Sequence, residues 1–234
     1  MEVDRQQAYI NAYRREARNA LQRFIDGERD DAFLLHAFEF IRSYLQVPRS
    51  SNSPPTADPD ILILAQALQI HLSGRGFQRQ ILALWPQLIG LAGRLSAPIL
   101  YVELVKFLAV VKDRQGDSEE ANMLYEGLLQ SSQFSLLPVE VKADVLHQAG
   151  TTLVWQGQLT QGRLLLNKVL TLAEQYPTDQ NHRNQVNRDG VRSSLNVTPL
   201  WESKAYALNQ LGNISSFRVS LHRRNDSIKL AGRR

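Results

Sequence analysis

The sequence predicts an all-α fold, an α-α superhelix (solenoid) of antiparallel helical hairpins, and three observations carry that expectation. The first is self-similarity. A shift of 41 residues superposes three stretches, matching Leu64 with Val105 and Leu146, Ala67 with Leu108 and Ala149, and Leu88 with Leu129 and Leu170. A fixed period of this order marks a repeat array, in which each helical unit buries its apolar face against the next. The second is that small or apolar residues recur three and four apart on both sides of a polar turn at Arg75, Gly116 and Gly157, the pattern of two amphipathic helices folded together. The third is punctuation. Pro59, Pro98, Pro138 and Pro199 each fall where the first helix of a unit should begin, a place that tolerates proline because its missing N–H has no helical partner anyway.

Taken in order, residues 1–46 form an N-terminal helical hairpin, a degenerate repeat. Residues 47–60 (VPRSSNSPPTADPD) are a Pro/Ser linker too polar and proline-broken for helix. Residues 61–178 hold three repeats in register. Gly116-Asp117 and Gly157-Gln158 separate their helices, with glycine supplying the left-handed residue that ends a helix cheaply. Asp58 and Thr198 are natural N-caps. Pro86 should kink or divide the helix that follows Phe77. Residues 179–198 are an Asn/Arg-rich polar loop, and 199–234 begin a last unit that stops about one short helix later. An array that ends without a polar-faced cap implies completion by a second copy, a homo-oligomer, or by further repeats of a longer protein.

Composition excludes several classes. The chain has no run of 18 apolar residues to span a bilayer and no apolar leader behind its first residues. It has no Cys, so disulfides, thiolate metal sites and thiol nucleophiles are out, and a cytoplasmic setting fits best. The Asn-x-Ser/Thr sequons at Asn196 and Asn213 then read as chance matches. Charge is uneven. Residues 182–234 hold ten Lys and Arg against three Asp and Glu, net +7, which leaves 17 against 20 in 1–181, net −3. Arg183, Arg188, Arg192, Arg218, Arg223 and Arg224 are therefore candidate contacts for an anionic partner, with a solvated polar loop as the bland alternative.

The residues resemble a known family. Tetratricopeptide (TPR) units carry a small residue in the middle of helix A, a glycine seven positions on, and a small residue five beyond that where the helices cross. Ala109, Gly116 and Ala121 match that spacing, as do Gly150, Gly157 and Gly162, and Ala20, Gly27 and Ala32. Leu68, Arg75 and Gln80 form a degenerate version, and Leu208, Leu211 and Gly212 start another. The long unit is similar to those of kinesin light chain and of many bacterial signalling proteins. An irregular helical bundle or a HEAT-type array is the structural alternative.

No catalytic constellation is present. His36, His71, His147, His182 and His222 are dispersed, with no H-E-x-x-H, phosphate loop or Gly-x-Ser-x-Gly elbow. The expectation is a non-enzyme without metal or cofactor that binds another protein or peptide, as an adaptor, scaffold or signalling component. What the TPR resemblance implies is a concave groove lined by helix A. Its positions correspond to Arg14, Arg18, Leu21 and Phe24, then Leu62, Ala65 and Gln69, then Glu103, Lys106, Val110 and Arg114. They continue as Asp144, His147, Thr151 and Trp155, and as Tyr206, Asn209, Asn213 and Phe217. For Trp155 and Phe217 packing between units is the alternative, and for the arginines plain solvation. Lys106 matches the basic residue of the carboxylate-clamping subset, but Val110 stands where its asparagine would be. A nucleic-acid-associated regulator acting through the basic 183–234 region is the second functional reading.

Overall fold

The computed structural model describes residues 2–46, 58–176 and 202–214, the side chains of 2–6 and of Ile70 excepted. The expectations for 47–57, for the 179–197 loop, for the Thr198 cap and for the 225–230 part of the last unit lie outside the described residues. All described secondary structure is helical: α1 (Glu2–Ile25), α2 (Asp31–Gln46), α3 (Asp58–Gly74), α4 (Gln78–Arg94), α5 (Pro98–Arg114), α6 (Ser118–Gln130), α7 (Ser132–Ser135), α8 (Val139–Trp155) and α9 (Leu159–Gln175). Residues 202–214 are helical as well. The chain divides into two compact units, Met1–Leu136 and Leu137–Arg234.

The period is built into the helix starts. Helices α3, α5 and α8 begin at 58, 98 and 139, and α4, α6 and α9 at 78, 118 and 159, so the step is 40 and then 41 residues. One device closes the first helix of each pair. Gly76, Gly116 and Gly157 have φ of 86°, 85° and 80°, and the following N–H groups of Phe77, Asp117 and Gln158 donate five residues back, to the carbonyls of Leu72, Lys112 and Leu153. Gly27, at φ 102°, ends α1 in the same way, with Glu28 N–H on the Arg23 carbonyl. A β-carbon in this region costs about 1–2 kcal/mol. Gly157→Ala is therefore expected to lower stability by about 1 kcal/mol in urea unfolding, although nothing lies within 4 Å of the added methyl.

Three expectations need correction here. The turn of the second hairpin is at Gly76, not Arg75, because the step from that hairpin to the next is 40 residues and not 41; counted from Gly76, the same spacing falls on Gln69 and Ile81 and not on Leu68 and Gln80. The linker ends at 57, since Asp58, Pro59 and Asp60 already form the first turn of α3, where proline costs no bond. Pro86 does not divide α4, which runs unbroken from Gln78 to Arg94. Pro86 faces solvent, and the Gln87 side chain adds a bond to the Ala83 carbonyl at 3.2 Å one turn back.

In the first unit α5 is the central helix, packed by α3, α4, α6 and α7, and it buries residues around most of its circumference. Its neighbours contribute Leu64, Leu68, Leu72, Trp85 and Leu88 to one continuous apolar core with α1 and α2. Helices α1 and α2 meet through rings, Tyr13 lying 5.5 Å from Phe40 and 5.1 Å from Tyr44. Asp30 caps α2 by accepting from Phe33 N–H at 2.8 Å. Ala32 is exposed, so the spacing Ala20, Gly27, Ala32 does not mark a close crossing there.

In the second unit α8 and α9 form a tight pair. A β-carbon on Gly162 would stand 2.8 Å from the Gly150 carbonyl oxygen and 2.7 Å from Val154 Cγ2, and one on Gly150 would stand 3.2 Å from the Gly162 carbonyl oxygen. The two backbones touch where both residues lack a side chain. Ala109 and Ala121, both fully buried, occupy the equivalent positions of α5 and α6.

Candidate functional site

The candidate residues separate into those consumed by the fold and those left on a surface. Arg14 and Arg18 both reach along the surface to Asp60 at the start of α3, with Nε to carboxylate distances of 3.2 and 2.9 Å, and so tie α1 to α3. Leu62, Ala65 and Gln69 are buried in α3. Glu103 and Lys106 are each 5% exposed and pair at 2.9 Å one turn apart. Enclosure of α5 on four sides explains this, because a charge taken out of water needs its counter-charge beside it. Arg114, at the exposed end of α5, donates to Ser73 Oγ at 3.3 Å, linking the equivalent ends of α3 and α5.

One partly buried cluster of a histidine, an aromatic ring and cationic side chains accompanies these residues. His71 of α3 meets the Phe24 ring edge-on at 5.1 Å, and the Arg29 guanidinium lies over the other partner of that contact, 4.9 Å from the Phe24 centroid. Burial first, then the charges of Arg29 and Arg75, holds the His71 imidazole below its ordinary pKa. The unfolded chain therefore binds the proton more tightly than the native one. This increment of stability is complete above the unfolded value near 6.5 and is lost as pH falls below it. Urea midpoints at pH 7.5 and 5.5 are expected to differ by less in His71→Gln than in the parent chain.

The open surface is in the second unit. Along α8 the residues Asp144, His147, Thr151 and Trp155 lie three, four and four apart, a single stripe of the helix. Exposure rises along it. Asp144 is buried and accepts from Gln148 at 3.3 Å, His147 and Thr151 are half-buried, and Trp155 is 74% exposed. Thr151 Oγ1 is buried without a hydrogen-bond partner among the described residues. On 202–214 the buried positions are Ser203, Ala207 and Ile214, and Tyr206, Asn209 and Asn213 lie on the exposed side.

The two elements meet at His147 and Tyr206, whose rings stack with centroids 5.3 Å apart and an interplanar angle of 16°. Tyr206 Oη donates to Glu202 Oε1 at 2.9 Å, and that carboxylate raises the phenol pKa. Two residues chosen separately from the sequence are thus brought into contact. Glu202 was not among them, though its i,i+4 spacing to Tyr206 was legible. The result is an aromatic step edged by a carboxylate and continued by two exposed amides, with an exposed indole at the far end of α8.

The remaining candidates, Arg183, Arg188, Arg192, Phe217, Arg218, Arg223 and Arg224, lie outside the described residues. Among the described residues no three His, Cys, Asp or Glu side chains group to hold a metal ion, and no helix is long and apolar enough to cross a membrane. Compared with family models, with curated proteins and with solved structures, the chain matches none.

Proposed function

We propose that the chain is a TPR-like array of the superhelical type acting as a non-catalytic interaction module, an adaptor or regulatory component that holds a peptide or helix of another protein. The observation that carries this reading is the stacked pair His147 and Tyr206, with Asn209, Asn213 and Trp155 exposed beside it. Large aromatic side chains left in water rather than in a core are the residue types that dominate interface energetics. Asn209 and Asn213 sit one helical turn apart and present donors and acceptors at a spacing that suits an extended backbone. Support for the TPR-like architecture comes from the 40- and 41-residue steps of the hairpins, their shared turn and the small residues at the α5–α6 and α8–α9 crossings.

Peptides selected from a random display library on the full chain provide the test. The combined substitution Tyr206→Ala, Asn209→Ala, Asn213→Ala is expected to weaken the selected peptides by tenfold or more, since one interface anchor contributes on the order of 2 kcal/mol. Its circular dichroism should match the parent, because the buried positions of this helix, Ser203, Ala207 and Ile214, are untouched. Undiminished binding would remove this surface from the account.

A further inference from the structure

Resting on that reading, we infer that the Tyr206 step is built to take an arginine side chain of the bound partner, the guanidinium lying on the outer face of the ring and bonding to the Glu202 carboxylate. One face of Tyr206 is covered by the His147 imidazole, yet the residue is 46% exposed, so its second face is open. The phenol hydrogen is directed to Glu202 Oε1, which leaves Glu202 Oε2 to accept from a ligand. An aromatic face carries negative charge density and attracts a cation, and a carboxylate at the rim adds a charge-assisted hydrogen bond. Arginine fits both demands at once. Its planar, weakly hydrated fork stacks while its edge N–H groups bond, whereas a lysine ammonium is a strongly hydrated point charge.

Asn209, one turn further along, offers an exposed amide oxygen to the same fork, while Lys204 belongs to a different side of the helix, two residues from both Glu202 and Tyr206. An apolar or acidic ligand group would leave Glu202 opposite no donor or opposite a like charge. The step therefore selects for charge in a way that the exposed Trp155 does not.

The probes are three blocked tetrapeptides identical except for one position, arginine, citrulline or phenylalanine, titrated at millimolar concentration into the full chain. The Tyr206 ring and the side chains of Asn209 and Asn213 are followed by NMR. The arginine peptide is expected to shift Tyr206 saturably and at least about fivefold more tightly than the citrulline peptide, and Glu202→Gln should abolish that preference. Equal response to arginine and citrulline, or a preference that survives Glu202→Gln, would overturn the inference. A response to the phenylalanine peptide alone would overturn it and leave the partner-binding reading standing, whereas silence with all three would count against both.

Discussion

Trp85→Ala is expected to cost about 3–5 kcal/mol, the largest loss from any single truncation in the first unit. Trp85 is fully buried on α4, and its ring lies 5.1 Å from that of Phe107 on α5. Both residues belong to the layer between α4 and the central helix, so truncation opens a cavity that only backbone movement can close. A companion substitution separates shape from chemistry. The indole Nε1 is buried without a hydrogen-bond partner among the described residues, and that N–H is already a cost to the native state. Trp85→Phe removes the unsatisfied donor with part of the volume, so it should cost about 1–2 kcal/mol, well under the alanine change. Urea unfolding followed by circular dichroism measures both. Equal losses would show that Trp85 is not packed as described.

Gly162→Leu is the corresponding change in the second unit, expected to destabilise by about 3 kcal/mol, at the upper end of overpacking effects. Besides Val154 Cγ2 at 2.7 Å, the first added carbon meets two backbone atoms, the Gly150 carbonyl oxygen at 2.8 Å and the Val154 nitrogen at 3.2 Å. Backbone cannot move aside as a flexible side chain can, and separating α8 from α9 would also open contacts at Leu166 and Val169, both fully buried. Gly127→Ala provides the contrast. Gly127 lies within α6, exposed and with nothing within 4 Å, so alanine there should stabilise by up to about 1 kcal/mol through helix propensity alone. Opposite signs for two helical glycines would follow from the crossing geometry, and a thermal melt with a Tm drop of about 6–12 °C for Gly162→Leu would display it.

Much of the architecture was legible because it is written in local chemistry. A left-handed glycine and the helix-terminating bond pattern beside it depend on a few adjacent residues, and Gly116 and Gly157 announced their turns directly. The misplacement at Arg75 came from imposing one period on steps that differ by a residue. The αL residue that closes α4 is Ser96, with φ of 50° and Ala97 N–H on the Ala92 carbonyl; a serine carries no signal for that conformation, which non-glycine residues adopt uncommonly. The short α7 likewise has no period to reveal it, being one turn held by the Ser131 side chain, which accepts from Phe134 N–H at 3.2 Å.

The site was less legible than the fold. Glu103 and Lys106 read as surface charges in one dimension, and only the packing of α5 shows that they are enclosed and answer each other. Arg14 and Arg18 likewise carry no mark of their shared acceptor, which lies more than 40 residues away at Asp60. His147 and Tyr206 were recognisable singly by residue type and helical position. Their stacking was not, because the contact spans a long insertion whose course no spacing rule fixes.

The account stands on the second unit's aromatic surface being where a partner sits, and site-specific photo-crosslinking tests this most directly. With benzoylphenylalanine placed at Gln210, one turn from Tyr206, or, as a control, at Lys168 on the exposed side of α9, the full chain is irradiated with a library-selected peptide. A crosslink from position 210 with none from 168, competed away by unlabelled peptide, is the predicted result; crosslinks from 168 and none from 210 would contradict it.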